Sequence, residues 1–156
     1  PRKTAADTSR SMCANLKDRV GAPGEVPQAY ECAQEICHHA QRLNGRTQMV
    51  DSKRGRVSQA EYNQVSGRLE LQADCYAGVW GHHADRQRQI LEGGDIEAAM
   101  NAAAKIGDDA LQRSAGRVVR PESFTHGTSA QRQRWFNTGL KTGDPQACDT
   151  FNNAQL

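Results

Sequence analysis

The chain has 156 residues, and its 20 Lys and Arg nearly balance its 18 Asp and Glu, which gives a formal net charge of +2. This length corresponds to one domain, residues 1–156, in which residues 1–14 are the candidate for a disordered stretch. The basic residues form no long block, so we predict no nucleic-acid partner. No run of 18 apolar residues occurs either, so we predict no membrane segment in this chain.

Small apolar residues are unusually frequent in this sequence. Leu, Ile, Val and Phe together account for 23 of the 156 residues, while Ala alone accounts for 21. The nearly balanced charge argues against an extended, self-repelling chain. We therefore expect a thin core built from alanine-faced helices that approach each other closely.

Helical spacing of apolar residues dominates the chain. A first amphipathic helix is predicted over residues 26–43, with Pro27 in its first turn. Its packed face is expected to be an apolar stripe of Ala29, Ala33, Ile36, Ala40 and Leu43. A second, longer helix is predicted to begin after Ser58, which forms an S-x-x-E capping box with Glu61, and to end near Gly81.

Shorter helices are predicted in the second half of the chain. Asp95 is expected to cap a helix that Gly107 closes, and another short helix is expected over residues 110–115. Two further helix starts are expected: a capping box of Thr128 and Gln131 for a helix through Leu140, and Asp144 with Pro145 for a last short helix.

The remaining segments, residues 45–57 and 116–127, are predicted to be loops. No part of the chain alternates polar and apolar residues as a half-buried strand does. Three aromatic residues on the helical stripes are predicted to lie in the core, namely Trp80, Trp135 and Phe136. The predicted fold class is therefore all-α, built on two long amphipathic helices.

The polar face of the first helix carries a pattern related to a zinc site. Gln34, Glu35 and His38 occupy positions of the H-E-x-x-H motif, in which the first and fifth residues bind zinc and the Glu is a general base. Q-E-x-x-H alone is a weak signal, because a lone Glu and His are more typical of a solvated helix face. Glu70 and Asp74, spaced i and i+4 on the second helix, are open to the same two interpretations.

The five cysteines, Cys13, Cys32, Cys37, Cys75 and Cys148, include no C-x-x-C pair and so indicate no zinc ribbon. Their odd number leaves at least one thiol unpaired within the chain. A thiolate at Cys37, close to Gln34 along the helix, is an alternative metal ligand.

Several longer segments resemble one family. They are GAPGEVPQAY (21–30), QEICHHAQ (34–41), LELQADCYAGVWG (69–81), GDIEAAMNAAAKIGDDALQ (94–112) and PESFTHGTSAQRQRWFNTGLKTGDPQACDTF (121–151). Through them the chain resembles the putative neutral zinc metallopeptidases over about residues 15–151. The resemblance implies a helical, gluzincin-like (zincin-like) domain in which two His and one Glu bind Zn²⁺, and a metal-activated water hydrolyses peptide bonds.

Mapped onto this sequence, the resemblance assigns roles to five residues. It makes His38 and Glu70 zinc ligands and Glu35 the general base. It makes Asp74 a carboxylate that orients a histidine ligand. His126 becomes either a donor to the oxyanion or an anchor for its loop.

Two features of the chain depart from the family pattern. Gln34 replaces the first metal His and offers zinc only a weak amide-oxygen ligand. The family's upstream part, which includes a strand-like segment, has no counterpart here. We therefore expect the C-terminal portion of an extracytoplasmic or membrane-anchored protein. The resemblance further implies that Cys75 and Cys148 form a disulfide.

Two functional hypotheses follow. The first is a zinc-dependent metallopeptidase that acts on peptide or protein substrates and is impaired by Gln34. The alternative is a catalytically inactive pseudopeptidase or fragment that serves as a helical binding or structural module. The sequence does not indicate an oligomeric state.

Overall fold

The computed structural model describes residues 25–89, 91–92 and 94–156. Over these residues the chain forms six α-helices and two short 3-10 helices without any strand, which confirms the all-α prediction. The predictions for residues 1–14 and for Cys13 lie outside the described residues. The helices are α1 (Glu25–Leu43), α2 (Arg46–Asp51), α3 (Gln59–Arg88), α4 (Asp95–Lys105), α5 (Asp108–Ser114) and α6 (Ser129–Thr142), and the 3-10 helices span Pro121–Ser123 and Pro145–Cys148.

Both predicted capping boxes are present. The Ser58 hydroxyl accepts from the Glu61 amide at 3.3 Å, and the Glu61 carboxylate accepts from the Ser58 amide at 3.0 Å. Thr128 and Gln131 make the same reciprocal bonds at the start of α6, at 3.2 and 2.8 Å. Each box satisfies amides that a first helical turn would leave unpaired, so local sequence sets where α3 and α6 begin.

Helix α3 continues past its predicted end at Gly81 to Arg88. His82 and His83, just after that glycine, lie within 2.8 Å of the carbonyl oxygens of Leu140 and Gly143 at the end of α6. These tertiary contacts outweigh the roughly 1 kcal/mol cost of a helical glycine. Three other predictions of helix boundaries are wrong. Helix α2 and the 3-10 helix Pro121–Ser123 lie in segments that were predicted to be loops. Gly94, not Asp95, caps α4, and α5 begins at Asp108, before the predicted residue 110.

The core forms where α3 and α6 meet with their backbones in contact. A Cβ atom on Gly78 would overlap the Phe136 carbonyl group, and one on Gly139 would overlap the Cys75 carbonyl group. Glycine is therefore required on both helices. This close approach explains how a chain with few large apolar residues closes a core, because the two backbones themselves fill the space.

Two of the three predicted core aromatics are buried, Trp135 and Phe136. The third prediction is wrong, because Trp80 is 51% exposed. The expected packed stripe of α1 is also wrong beyond Ala33, since Ile36 is 61% and Leu43 is 75% exposed. The opposite, polar face of α1 is buried instead, because its side chains find hydrogen-bond partners on α3.

The predicted disulfide between Cys75 and Cys148 is confirmed and joins α3 to the last 3-10 helix. Cys37 carries a free thiol. None of the helices in the described part of the chain combines the length and apolar character that crossing a membrane requires.

Candidate active site

Helices α1 and α3 bring three of the predicted residues together. His38 Nε2 lies 3.2 Å from Glu70 Oε2, and the Gln34 amide nitrogen donates to the same oxygen at 3.5 Å. The side chains of His38 and Glu70 are 23% and 20% exposed, so water reaches them. We call Gln34, His38 and Glu70 the candidate metal site.

Burial and neighbouring charges shift the pKa values of His38 and Glu70 in opposite directions. Burial lowers the pKa of His38, but the hydrogen bond and charge of Glu70 and the charge of Glu35 raise it to above its usual value. Burial raises the pKa of Glu70, but His38 and the more distant charges of His126 and Arg132 bring it below its usual value. The pair is therefore held as an ion pair over a wider pH range than the free side chains allow.

Glu35 and His126 lie at the edges of this site. Glu35 is half-buried beside His38, and its charge acts on the His38 ring. The His126 Nδ1 atom lies 3.1 Å from Asp108 Oδ1, a hydrogen bond that raises the pKa of His126. The charge of Glu70 reaches His126 as well. The roles of Glu35 as base and of His126 as oxyanion donor stay predictions.

Asp108 contacts His126, although no motif in the sequence marks it as a site residue. Its carboxylate accepts from the backbone amides of Thr125 and His126, both at 2.7 Å, and so holds the loop that carries His126. The only sequence signal for it is its place at the start of a helix, which many surface carboxylates share.

Asp74 lies one helical turn from Glu70 and is completely buried. Its carboxylate accepts from the Tyr30 hydroxyl at 2.5 Å and from the Arg132 guanidinium at 2.8 and 2.9 Å. We call Tyr30, Asp74 and Arg132 the buried ionic cluster. The described partners of His38 are Gln41 and Glu70, so the predicted role of Asp74 in orienting a histidine ligand stays a prediction.

The donor set fits zinc only in part. Imidazole nitrogen and carboxylate oxygen are zinc ligands, and His38 and Glu70 supply one of each. No group of three His, Cys, Asp or Glu in the described residues is arranged to hold a metal ion. Gln34 occupies the position at which the family resemblance places the third zinc ligand. Burial raises the pKa of the Cys37 thiol to about 12, which disfavours the thiolate alternative.

Comparison with known proteins gives this site a context. The chain is 52% identical over 141 residues to the uncharacterized protein YpfJ of Escherichia coli (strain K12), which covers 90% of this chain and 48% of that protein. It is 41% identical over 144 residues to the uncharacterized protein Rv2575 of Mycobacterium tuberculosis, which covers 85% of this chain and 47% of that protein. The chain thus spans about half the length of the curated relatives it matches.

No solved structure matches the chain significantly. The sequence profile of one family, described as putative neutral zinc metallopeptidase, matches residues 2–151. That match covers nearly the whole chain, and it includes every residue of the candidate metal site. The chain therefore belongs to the family of putative neutral zinc metallopeptidases.

Proposed function

We propose that this chain is a peptidase-type domain with a weakened zinc site, which has lost most hydrolytic activity through the change at Gln34. The observation that carries this proposal is the arrangement of the candidate metal site. Two side chains of the types that bind zinc lie 3.2 Å apart, and an amide stands beside them where a third ligand is needed.

His38 and Glu70 are the residues that would hold zinc. Bound zinc supplies a water of lowered pKa and polarises a peptide carbonyl. Glu35, which is partly exposed beside His38, would act as the base that takes a proton from the attacking water. His126, whose pKa is raised by its hydrogen bond to Asp108, would donate a hydrogen bond to the oxygen on which negative charge develops.

Gln34 weakens the site in two ways. Its amide oxygen is a poorer zinc ligand than imidazole, and its amide nitrogen already donates to the Glu70 oxygen that zinc would use. Loss of a group that merely supports a metal ligand costs about 10–100-fold in metal affinity. Loss of a direct ligand should cost at least as much.

A second candidate function is a non-catalytic helical module that binds another protein or segment. The exposed side chains of Ile36 on α1 and Trp80 on α3 favour it, because they line one apolar groove and contiguous exposed apolar surface often marks an interaction site. The two candidate functions predict different results for a Gln34→His variant, in which the missing zinc ligand is restored: only the weakened peptidase would regain cleavage.

Digestion of a mixed peptide library with added zinc, followed by mass spectrometry, tests the proposal. We expect little cleavage by the wild type and zinc-dependent cleavage by the Gln34→His variant. The Gln34→His, Glu35→Gln double variant is the matched control and should lose that cleavage while it still binds zinc. If Gln34→His binds zinc without cleaving any peptide, the non-catalytic candidate stands. Strong wild-type cleavage that Glu35→Gln abolishes would show that the site is not weakened.

A further inference from the structure

We propose that a cavity at the C-terminal end of α5 binds acidic peptide segments through Arg117 and Arg120. The cavity has a volume of about 410 Å³ and is lined by Gln112, Arg117, Val118, Arg120 and Ser123. This volume lies within the range of ordinary ligand sites. Its described lining residues include none of the candidate metal site, so binding here is a property separate from zinc.

The two arginines carry charges that nothing in the described part of the chain neutralises. The described lining residues of the cavity include no carboxylate, and no described acidic side chain pairs with Arg117 or Arg120. Arg113, one turn earlier, differs because it pairs with Asp109 at 2.5 Å. A guanidinium offers carboxylates a planar fork of donors. An incoming carboxylate therefore meets two donor groups that no other carboxylate occupies.

Gln112 holds the two backbone segments that carry these arginines. Its carbonyl oxygen accepts from the Arg117 amide at 2.9 Å, and its side-chain oxygen accepts from the Arg120 amide at 2.7 Å. Its side-chain nitrogen donates to the Ser123 hydroxyl at 3.0 Å, and that hydroxyl donates to the Arg120 carbonyl oxygen at 2.7 Å. The cavity is thus arranged before any ligand arrives, which reduces the entropy cost of binding.

The lining also favours a peptide over a small inorganic anion. Val118 lies between the two arginines in the sequence and is 81% exposed. A peptide with alternating acidic and apolar side chains offers a carboxylate to each arginine and an apolar contact to Val118. A small anion would use the arginines alone. Nucleic acid is disfavoured, because its binding sites usually extend the basic surface over a longer stripe.

The cavity lies within reach of the candidate metal site. The Glu122 carbonyl oxygen, next to the cavity, accepts from the Asn63 side chain on α3 at 2.9 Å. Glu70 follows on the same helix, roughly 10 Å further at 1.5 Å per residue. An extended peptide of about three or four residues covers that distance. A role of the cavity in choosing substrates rests on the proposed function, whereas the binding itself does not.

The test is an NMR titration of the zinc-free wild type with two capped peptides, acetyl-Ala-Glu-Val-Glu-Ala-amide and acetyl-Ala-Gln-Val-Gln-Ala-amide. We expect the acidic peptide to shift the side-chain signals of Gln112, Arg117 and Arg120. We also expect it to bind at least about fivefold more tightly than the Gln peptide, because one exposed ion pair contributes up to about that factor.

Arg117→Gln and Arg120→Gln should each weaken binding of the acidic peptide up to about fivefold and leave binding of the Gln peptide unchanged. Both side chains are exposed, so the variants should keep the fold. Arg113→Gln is the matched control, because it removes the same charge from an exposed arginine one turn away that does not line the cavity. It should bind the acidic peptide as the wild type does.

Three results would overturn the proposal. The first is equal affinity of the wild type for the two peptides, and the second is an equal loss in Arg113→Gln, since binding would then reflect overall charge. The third is tighter binding of a single-stranded thymidine decamer that Arg117→Gln weakens, which would assign the cavity to phosphates of nucleic acid.

The titration separates this proposal from the proposed function, because it uses protein without zinc. Failure of Gln34→His to cleave any peptide would contradict the proposed function and leave the titration result intact. Cleavage by Gln34→His without preference for peptides that carry Glu three or four residues from the cut would contradict only the role of the cavity in choosing substrates.

Discussion

Two side-chain clusters cross from α1 to α3 one helical turn apart, and they differ in how fully their polar atoms are paired. The buried ionic cluster of Tyr30, Asp74 and Arg132 excludes water, and each Asp74 oxygen has a close donor. In the candidate metal site of Gln34, His38 and Glu70, water has access, and both donors bind one Glu70 oxygen at 3.2 to 3.5 Å.

This difference separates a structural cluster from a candidate functional one. A buried charge is tolerated when its partner neutralises it and its lone pairs are filled, and such a cluster holds the fold in one arrangement. Burial raises the pKa of the Tyr30 hydroxyl well above its usual value, so it stays a donor to Asp74. In the candidate metal site, His38 and Glu70 are partly exposed and loosely paired, so that a metal ion can still reach them.

Removal of the Arg132 charge should have the largest effect. Arg132→Met leaves the Asp74 carboxylate buried without its counter-ion, and we expect a loss of about 3–5 kcal/mol in the free energy of unfolding, measured by urea denaturation. Arg134→Met, an exposed residue on the same helix, is the control and should change stability by about 0.5 kcal/mol or less. Equal effects of the two changes would mean that the cluster does not support the fold.

Removal of the Tyr30 hydroxyl should have an intermediate effect. Tyr30→Phe deletes one hydrogen bond to the charged Asp74 but leaves both contacts from Arg132, so we expect a loss of about 1.5–3 kcal/mol. Tyr62→Phe, whose hydroxyl bonds only the exposed Arg54 side chain among its described partners, should cost about 0.5 kcal/mol or less. The prediction fails if the two phenylalanine variants unfold at the same urea concentration.

The ion pair of the candidate metal site should contribute least, and only over a limited pH range. The raised pKa of His38 stabilises the fold fully below its ordinary value of 6.5, and this contribution is lost as pH rises through the raised pKa. The lowered pKa of Glu70 stabilises above its ordinary value of 4.5, and this contribution is lost as pH falls through the lowered pKa.

We therefore expect Glu70→Gln to cost at most about 1 kcal/mol, with the full cost between pH 4.5 and 6.5 and a smaller cost at alkaline pH. Thermal unfolding of wild type and variant across this range measures it. A cost that stays constant into alkaline pH would show that Glu70 does not act on the fold through His38.

Local sequence predicted the starts of α3 and α6 correctly, because the capping boxes at Ser58 and Thr128 act within one turn. The predicted end of α3 at Gly81 was wrong, because contacts with α6, which is distant in sequence, stabilise further turns of the helix. Local sequence also predicted the wrong buried face for α1. Hydrophobicity alone does not show that the polar face has hydrogen-bond partners on α3, nor that Ile36 and Leu43 stay exposed.

For the candidate site, the resemblance to a family supplied His38 and Glu70, and the structure brings them together. Gln41, Asp108 and Arg132 were missed as site residues. Their contacts join residues on different helices or loops, and no spacing rule along one helix encodes such a contact. Gln41 had one weak signal, its place three residues after His38 on the same polar face.

The most direct test of the account is a calorimetric zinc titration of wild type and Gln34→His, with Gln34→His, His38→Ala as the control. We predict one zinc per chain in Gln34→His, bound at least about 100-fold more tightly than by the wild type, and loss of that binding in the control. Wild-type protein that binds one zinc as tightly as Gln34→His would contradict the claim that Gln34 leaves the site incomplete.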